Sequence, residues 1–98
     1  MKLALSADHR GVSATRQLAD RLRSQNHEVT MVGTLTGETC DYPDAAFGVG
    51  ELVRKGDVER GILLCGSGIG MCIAANKIRG VRAALVHDEL TAEMSRSH

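Results

Sequence analysis

A cysteine followed by a glycine-rich loop is the feature of this sequence best suited to chemistry. Residues 61–73 read GILLCGSGIGMCI, so Cys65 ends a short apolar run and glycine stands at alternate positions after it. The apolar run suits a strand buried on both faces of a parallel sheet, and the glycines allow the amides of Ser67 and Ile69 to turn toward an anion. A helix beginning near Met71 adds the positive end of its dipole. A thiol beside such a loop indicates a reactive site for an anionic ligand.

Each half of this motif also has a plainer interpretation. A cysteine at the end of a buried strand usually serves as a small hydrophobic residue. A GxGxG pattern alone indicates a nucleotide site or tight helix packing as readily as an anion-binding loop. The role of Cys65 therefore depends on the residues around it.

Polar residues also follow the other predicted strands. They are Asp8 and His9 after the first strand, Asp41 and Tyr42 at the end of the loop after the second, and His87 and Asp88 after the fourth. Because the carboxyl ends of parallel strands line one crevice, we expect these residues to converge near Cys65. The plainer alternatives are that Asp8 caps the first helix and that Tyr42 covers the entry to the second.

Four predicted β-α units position these residues. Strands and helices alternate with short connections, which is typical of an α/β protein with a parallel sheet. The predicted strands are Lys2–Ala7, Val29–Val32, a run ending at Cys65, and Val81–Val86. The predicted helices run from Gly11 to about Gln25, from Pro43 to about Lys55, from about Gly70 to Lys77, and from Asp88 onward. We expect a single domain over residues 1–98.

Composition limits the function classes. The 98 residues, 43% of them hydrophobic, suffice for one domain with a modest core. Twelve basic and twelve acidic side chains cancel, and no basic cluster is interleaved with aromatic residues, so nucleic acid is not an expected partner. No apolar stretch approaches the ~20 residues that cross a bilayer, and no signal-peptide pattern is present, so we expect a cytoplasmic protein without a membrane partner. The three cysteines match no zinc or disulfide spacing, so no structural metal is expected, and we predict no cofactor.

Five segments together resemble the ribose-5-phosphate isomerase type B family, which includes galactose-6-phosphate and allose-6-phosphate isomerases. The segments are SADHRG at 6–11, DYP at 41–43, GILLCGSGIGMCIAANKI at 61–78, VRAALVHD at 81–88 and SRSH at 95–98. The resemblance covers the whole chain, and CGSGIGM followed by IAANK is far more specific than GxGxG alone. It implies a three-layer, Rossmann-like sandwich that interconverts an aldose phosphate and a ketose phosphate through a cis-enediolate, without a metal.

The resemblance also implies roles for the loop residues. It makes Cys65 the base, because the branch with a carboxylate base has glutamate where Met71 stands. A thiol acts as a base at neutral pH only where its surroundings favour the thiolate, and a helix N-terminus is one such setting. The Ser67 hydroxyl would bond the thiolate or the sugar. Amides of the loop would stabilise charge on the substrate oxygen, namely those of Gly66, Gly68, Ile69 and Gly70.

Residues outside the loop are implied to contact the substrate. Asp8 and Tyr42 would bind sugar hydroxyls or assist ring opening, and His9 would lie near the phosphate. His98 would open the furanose, since imidazole exchanges protons near neutral pH. We also expect Asn76, in the third predicted helix, to tie the glycine loop by hydrogen bonding.

The chain is short relative to that family. Family members continue past the position of His98 with a further strand and helix, so we expect a C-terminally incomplete domain with an exposed sheet edge. The resemblance implies a homodimer or a dimer of dimers, because two subunits contribute to each active site in the family. The preferred substrates are D-ribose 5-phosphate and D-ribulose 5-phosphate. A hexose 6-phosphate isomerase of the same family and a noncatalytic phosphate-binding remnant remain open as alternatives.

Overall fold

Three parallel strands form the sheet of the protein. The structure is a computed structural model and describes residues 1–33 and 42–97. The strands are β1 (Lys2–Ala7), β2 (Glu28–Met31) and β3 (Arg60–Leu64). Their order is β2-β1-β3, so β1 is central. All three were predicted from the sequence, and their ends lie within one residue of the predicted positions.

Four helices accompany the sheet. They are α1 (Val12–Ser24), α2 (Tyr42–Lys55), α3 (Ile69–Asn76) and α4 (Glu89–Ser97). Each predicted helix is therefore confirmed within the described residues. The eight residues of α3 begin directly after the glycine loop, which brings the amino end of this helix to the carboxyl end of β3.

Side chains of the sheet alternate between two helical layers, as the pleat of a strand requires. Leu3 and Leu5 of β1 pack with Ala19 of α1 on one face. Ala4 packs with Val49 of α2 on the other face, where α3 lies beside α2. The prediction of a three-layer α/β sandwich with a parallel sheet is confirmed.

A close approach fixes the amino end of α1 above the sheet. A Cβ added to Gly11 would lie 2.9 Å from both the Cβ and the carbonyl oxygen of Leu64, and 3.0 Å from the Cβ of Ala7. The Thr15 hydroxyl, which is buried, donates a hydrogen bond of 2.7 Å to the Gly11 carbonyl. Only glycine leaves room for this contact, and the contact holds the turn before α1 at the carboxyl ends of β1 and β3.

The predicted fourth strand, Val81–Val86, is wrong for the described structure. This segment belongs to neither ladder of the sheet, although its residues alternate between half-buried and exposed as in a strand. The backbone of Ala83 bonds instead to the side chain of Asn76, which accepts from the Ala83 amide at 2.8 Å and donates to its carbonyl at 2.9 Å. An apolar sequence favours extended backbone, but a strand also needs a neighbouring strand to pair its amides and carbonyls.

The last helix is packed differently from the other three. No residue of α4 is buried, and among the described residues it packs against no other helix or strand. Leu90 and Met94 expose 66% and 46% of their surface. Within the described structure, three β-α units are therefore paired into the sheet and packed against it. The fourth predicted unit is a segment outside the sheet followed by a helix that packs against no other element.

Candidate active site

The carboxyl ends of β1 and β3 bring two predicted groups of site residues together. The Asp8 amide donates a hydrogen bond of 3.1 Å to the carbonyl of Leu64, the residue before Cys65. The turn Asp8–Gly11 therefore lies beside the start of the glycine loop. Parallel pairing of β1 and β3 brings these two groups together, whereas Asp41 lies outside the described residues, and His87 and Asp88 follow a segment that is not part of the sheet.

Cys65 lies half-buried between β3 and the glycine loop. Its Sγ atom accepts a hydrogen bond of 2.9 Å from the Gly68 amide. Gly68 adopts a left-handed φ of 81° as the N-terminal cap of α3, which turns that amide back toward the sulfur. A hydrogen-bond donor and the positive end of a helix dipole both favour negative charge at this position. The arrangement suits a thiolate that accepts a proton.

The loop amides already have partners within the loop. The Ile69 amide donates to the Ser67 hydroxyl oxygen at 3.2 Å, and the Gly68 amide donates to Cys65. Ser67, Ile69 and Gly66 are exposed, so the loop faces solvent. A substrate oxygen that uses these amides must therefore replace a side chain of the loop as acceptor. The structure places Ser67 against an amide rather than against the cysteine sulfur.

Asp8 has a clear structural task. It exposes only 9% of its surface, and its Oδ1 atom accepts from the amides of Arg10 at 2.9 Å and Gly11 at 3.2 Å. An aspartate that accepts from amides two and three residues ahead fixes a tight turn. Asp8 does not cap α1, because the N-terminal cap of that helix is Gly11 and no side chain bonds to it as a cap. Asp8 instead fixes the turn before the helix, and this turn presents the exposed His9 at the same edge of the sheet.

Arg10 is a site residue that the sequence reasoning missed. A Cβ added to Gly66 would lie 2.9 Å from Nη1 and 3.0 Å from Cδ of Arg10, so the guanidinium lies over the first glycine of the loop. An arginine at this place brings positive charge to the glycine loop. Its position directly after Asp8 and His9 was a signal, because residues at one strand end share one crevice.

Several predicted residues lie outside the described structure. Asp41 and His98 are not among the described residues, and only the backbone of Tyr42, at the start of α2, is described. Their predicted contacts with a sugar therefore remain predictions.

Asn76 does not tie the glycine loop, which corrects the sequence-based expectation. Its amide nitrogen donates to the Cys72 carbonyl at 3.0 Å as well as to the Ala83 carbonyl. The side chain therefore joins α3 to the segment after it. The periodicity of α3 could not reveal this, because the partner is a backbone group that comes close only in the folded chain.

Asp88 also has a structural role, although it follows the fourth predicted strand. Its Oδ1 atom accepts from the Thr91 amide at 2.7 Å and from the Thr91 hydroxyl at 2.9 Å, and these bonds hold the pKa of the exposed carboxyl below its usual range. The Thr91 hydroxyl oxygen in turn accepts from the amides of His87 at 3.0 Å and Asp88 at 3.2 Å. This reciprocal pattern is a capping box at the start of α4.

A cleft of about 1000 Å³ adjoins the glycine loop. Its walls include Cys65, Gly66, Ser67 and Gly68 together with β3 and residues 80–86. In residues 1–33 and 42–97, no cluster of three histidine, cysteine or acidic side chains is arranged to hold a metal ion. None of the helices in that part of the chain has the length and apolar character to cross a membrane.

Comparison with known proteins agrees with this geometry. Residues 3–98 match the sequence profile of the Ribose/Galactose Isomerase family. A putative sugar phosphate isomerase of Bacillus subtilis is 44% identical over 99 residues, which cover 100% of this chain and 66% of that protein.

Two solved structures are also similar. Ribose-5-phosphate isomerase B of Clostridium thermocellum superposes with a TM-score of 0.97 at 44% identity, covering 100% of this chain and 66% of that one. The enzyme of the same name from Mycoplasma genitalium, solved with bound ribulose-5-phosphate, gives a TM-score of 0.92 at 38% identity, covering 99% of this chain and 65% of the other. The chain thus spans slightly under two thirds of the length of these proteins. It belongs to the Ribose/Galactose Isomerase family.

Proposed function

We propose that this chain carries the proton-transfer site of an aldose-ketose isomerase acting on D-ribose 5-phosphate and D-ribulose 5-phosphate. The observation that carries the proposal is the contact between the Cys65 sulfur and the Gly68 amide at the amino end of α3. The similar Mycoplasma genitalium structure holds ribulose-5-phosphate, which supports a pentose phosphate as substrate.

Cys65 is the proposed base. As a thiolate it removes the proton from C2 of the open-chain aldose, and the electron pair of that C–H bond forms the C1–C2 double bond of a cis-enediolate. The resulting thiol then returns a proton to C1, while the hydroxyl proton on O2 moves to O1. The products are the ketose and the regenerated thiolate, so neither a metal nor a redox cofactor enters the balance.

The amides of the glycine loop are proposed to stabilise the enediolate oxygen. Removal of a proton next to a carbonyl places negative charge on that oxygen, and one preorganised donor contributes about 3 to 4 kcal/mol in comparable oxyanion sites. The Ile69 amide, which now donates to Ser67, becomes available when the hydroxyl turns to the sugar. Gly66 and Gly70 complete the loop that approaches the substrate.

The remaining side chains are proposed to hold and open the sugar. His9 and Arg10 lie at the edge of the site, where Arg10 crosses Gly66 and offers a guanidinium to the phosphate. Tyr42 is assigned to the sugar hydroxyls and His98 to opening of the furanose ring. Asp8 acts chiefly by fixing the turn that presents His9 and Arg10.

Self-association is proposed through the outer face of α3. This helix buries Met71, Ala74 and Ala75 against the protein but leaves Ile69 and Ile73 exposed by 53% and 57%. A helix that is apolar on both faces is normally covered on both. A second copy of the chain would cover the outer face, which supports a homodimer or a dimer of dimers.

Free thiols at Cys65 and Cys72 support a reducing, cytoplasmic location.

A hexose 6-phosphate is the second candidate substrate. The family description names galactose as well as ribose, and the open cleft beside the loop offers room for a longer sugar. A noncatalytic phosphate-binding role is the remaining alternative, supported by the Arg10 guanidinium over Gly66.

The test is interconversion of ribose 5-phosphate and ribulose 5-phosphate, measured with the 98-residue chain and with a chimera that adds the remaining third of the Bacillus subtilis relative. Cys65→Ala should abolish turnover in any active form, and Arg10→Gln should raise KM for the sugar phosphate. Cys72→Ala is the matched control, because Cys72 is also a free, half-buried thiol but bonds to the Ala83 carbonyl.

Turnover that survives Cys65→Ala would remove the cysteine as base. A preference for allose 6-phosphate or galactose 6-phosphate in the same assay would favour the hexose candidate. Phosphate binding without turnover by either protein would favour the noncatalytic role.

A further inference from the structure

The Gly68 amide donates to the Cys65 sulfur from a loop that has little stiffness of its own. Gly68 has a φ of 81° and is half-buried, although its neighbours Ser67 and Ile69 are exposed. Within the described residues, no side chain caps the start of α3 at Gly68. Because glycine loses more conformational freedom on folding than other residues, a fixed direction of this amide needs contacts from outside the loop.

Leu85 supplies such a contact. A Cβ added to Gly68 would lie 2.7 Å from Cδ1 of Leu85, so the leucine side chain packs against the backbone of Gly68. Leu85 is half-buried and lines the same cleft as Cys65 and Gly68. The leucine therefore covers Gly68 and restricts how far this residue can turn its amide away from the sulfur.

Asn76 holds the backbone that carries Leu85. Its side chain accepts from the Ala83 amide at 2.8 Å and donates to the Ala83 carbonyl at 2.9 Å. Ala83 and Leu85 are both half-buried, whereas Ala84 between them is exposed, so residues 83 and 85 face the same side of the extended segment. The last residue of α3 is thus connected, through residues 83–85, to the glycine that caps the start of the same helix.

We propose that Leu85 is a positioning residue of the candidate active site, which keeps the Gly68 amide directed at the Cys65 sulfur. Asn76 supports Leu85 from the far end of α3. The inference rests on the proposed function, because the Gly68 amide matters to the reaction only if Cys65 accepts the proton. Leu85 acts through the backbone of Gly68 and exchanges no proton itself.

The direction of this amide affects the chemistry of the sulfur. A hydrogen bond donated to the sulfur favours its negative charge, and a preorganised donor needs no rearrangement during the reaction. Without Leu85 the amide would turn and bond to water part of the time, which leaves the thiolate less stabilised. Loss of Leu85 should therefore slow proton removal more than sugar binding, since the proposed sugar contacts come from His9, Arg10 and Tyr42.

Hydrogen exchange at the Gly68 amide tests the positioning role without turnover. NMR of the ¹⁵N-labelled 98-residue chain measures it in the wild type, Leu85→Ala and Leu85→Met. Leu85→Ala should speed the exchange by about fivefold, since the amide loses part of its hydrogen bond. Leu85→Met conserves volume and should stay within about twofold of the wild type. The Arg10 amide, which donates to Asp8 at the same edge of the sheet, should not change.

Leu22→Ala is the matched control. Leu22 is also a half-buried leucine, but it packs with the cluster on the face of the sheet that α1 covers. Its loss should lower stability without changing exchange at Gly68. Asn76→Ala should act in the same direction as Leu85→Ala but more weakly, by about twofold, because it loosens the backbone that carries the leucine.

Steady-state kinetics connect the positioning role to the reaction. In whichever form of the protein turns over, Leu85→Ala should lower kcat by about tenfold and change KM for ribose 5-phosphate by less than about twofold. Leu85→Met should restore most of kcat. An equal rise in KM would assign Leu85 to sugar binding and overturn its positioning role.

Two exchange results would also overturn the proposal. The first is unchanged exchange at Gly68 in Leu85→Ala, and the second is an equal acceleration in Leu22→Ala. If Leu85→Ala does not fold, Asn76→Ala decides, and unchanged exchange at Gly68 in that variant would overturn the support of Leu85 by Asn76. Because exchange does not depend on turnover, an inactive protein would contradict the proposed function and leave the positioning result standing.

Discussion

Strand β1 and the extended segment 81–86 are two apolar stretches of one chain that differ in burial and in strand pairing. Five of the six residues of β1 are buried, and both of its edges are paired. Residues 81–86 are half-buried at best and bond through Asn76 rather than through a ladder. Local sequence therefore favours an extended backbone, whereas a neighbouring strand determines whether that backbone becomes part of a sheet.

The largest expected effect is the cost of losing a leucine side chain, which should differ between β1 and α4, the helix that follows residues 81–86. Leu5 in β1 is fully buried, and Leu5→Ala should lower the free energy of unfolding by about 2 to 5 kcal/mol through lost burial and a cavity. Leu90 in α4 is 66% exposed, and Leu90→Ala should change it by less than about 0.5 kcal/mol.

Urea unfolding followed by circular dichroism measures both variants. A similar loss in the two proteins would contradict the comparison, because it would mean that α4 is packed as firmly as the sheet. A large loss for Leu5→Ala alone would sharpen it.

Much of the fold could be predicted because the first three β-α units are self-sufficient. Local sequence defines these elements through apolar runs, the polar residues between them and Pro43 at the start of α2. The elements then bury one another's apolar faces. Val81–Val86 has the same local signals, but no strand within residues 1–33 and 42–97 pairs with it. A strand needs a neighbour to pair with, which the residues of the segment do not encode, so the prediction of a strand was wrong.

The contact between Gly68 and Leu85 joins the glycine loop to residues 81–86 and gives the next largest effect. Gly68 has a φ of 81°, and an added Cβ would lie 2.7 Å from Cδ1 of Leu85. Gly56, with a φ of 80° and nothing within 4 Å of an added Cβ, is the matched control. Gly56→Ala should cost about 1 to 2 kcal/mol from backbone conformation alone.

Gly68→Ala should cost about 1 kcal/mol more than Gly56→Ala, because Leu85 must also move. Thermal unfolding of the two variants measures the difference. Equal losses would show that Leu85 moves freely and that the bonds of Asn76 to Ala83 do not hold all of residues 81–86 in place.

A smaller, local effect is expected at Asn76. Asn76→Ala removes both bonds to Ala83 and should speed hydrogen exchange at the Ala83 amide by about tenfold, since a hydrogen bond contributes about 0.5 to 1.5 kcal/mol. Asn76→Asp keeps the oxygen that accepts from the Ala83 amide and should retain most of the protection. Global stability should change little in either variant, because the segment is not part of the sheet.

Unchanged exchange at Ala83 in Asn76→Ala would show that another contact holds the segment. In that case the distinction between a ladder-paired strand and a side-chain-held segment would fail at this residue.

The candidate site was predictable only in part. Cys65 and the glycine loop stand out because adjacent residues form one local motif. Arg10 and Asn76 act through partners distant in sequence, a glycine in the loop and a backbone group after α3. The sequence allowed Asp8 to be interpreted as a helix cap or a ligand, whereas its bonds to the amides of Arg10 and Gly11 place it in the turn before α1, whose cap is Gly11.

The smallest expected effect is the pH dependence of α4. Because Thr91 lowers the pKa of Asp88, the carboxylate stabilises the start of α4 fully above the ordinary aspartate value. This contribution is lost as the pH falls through the lowered pKa of the folded state. Carbon chemical shifts of residues 89–92 should therefore move toward coil values at acidic pH, while those of α1 remain helical.

Asp88→Asn is the control, since it keeps a capping side chain without an ionisable proton. A pH response at residues 89–92 that persists in this variant would assign the effect to another group.

Proton exchange at the sugar carbons tests most directly whether Cys65 is the base. Ribose 5-phosphate is incubated in D₂O with the protein in whichever form turns over, and deuterium at C1 of the ribulose 5-phosphate formed and at C2 of recovered ribose 5-phosphate is followed by NMR. Cys65 as base predicts deuterium at these carbons with the wild-type and Cys72→Ala proteins, and none above background with Cys65→Ala. Deuterium incorporation at wild-type rate by Cys65→Ala would show that Cys65 is not the base.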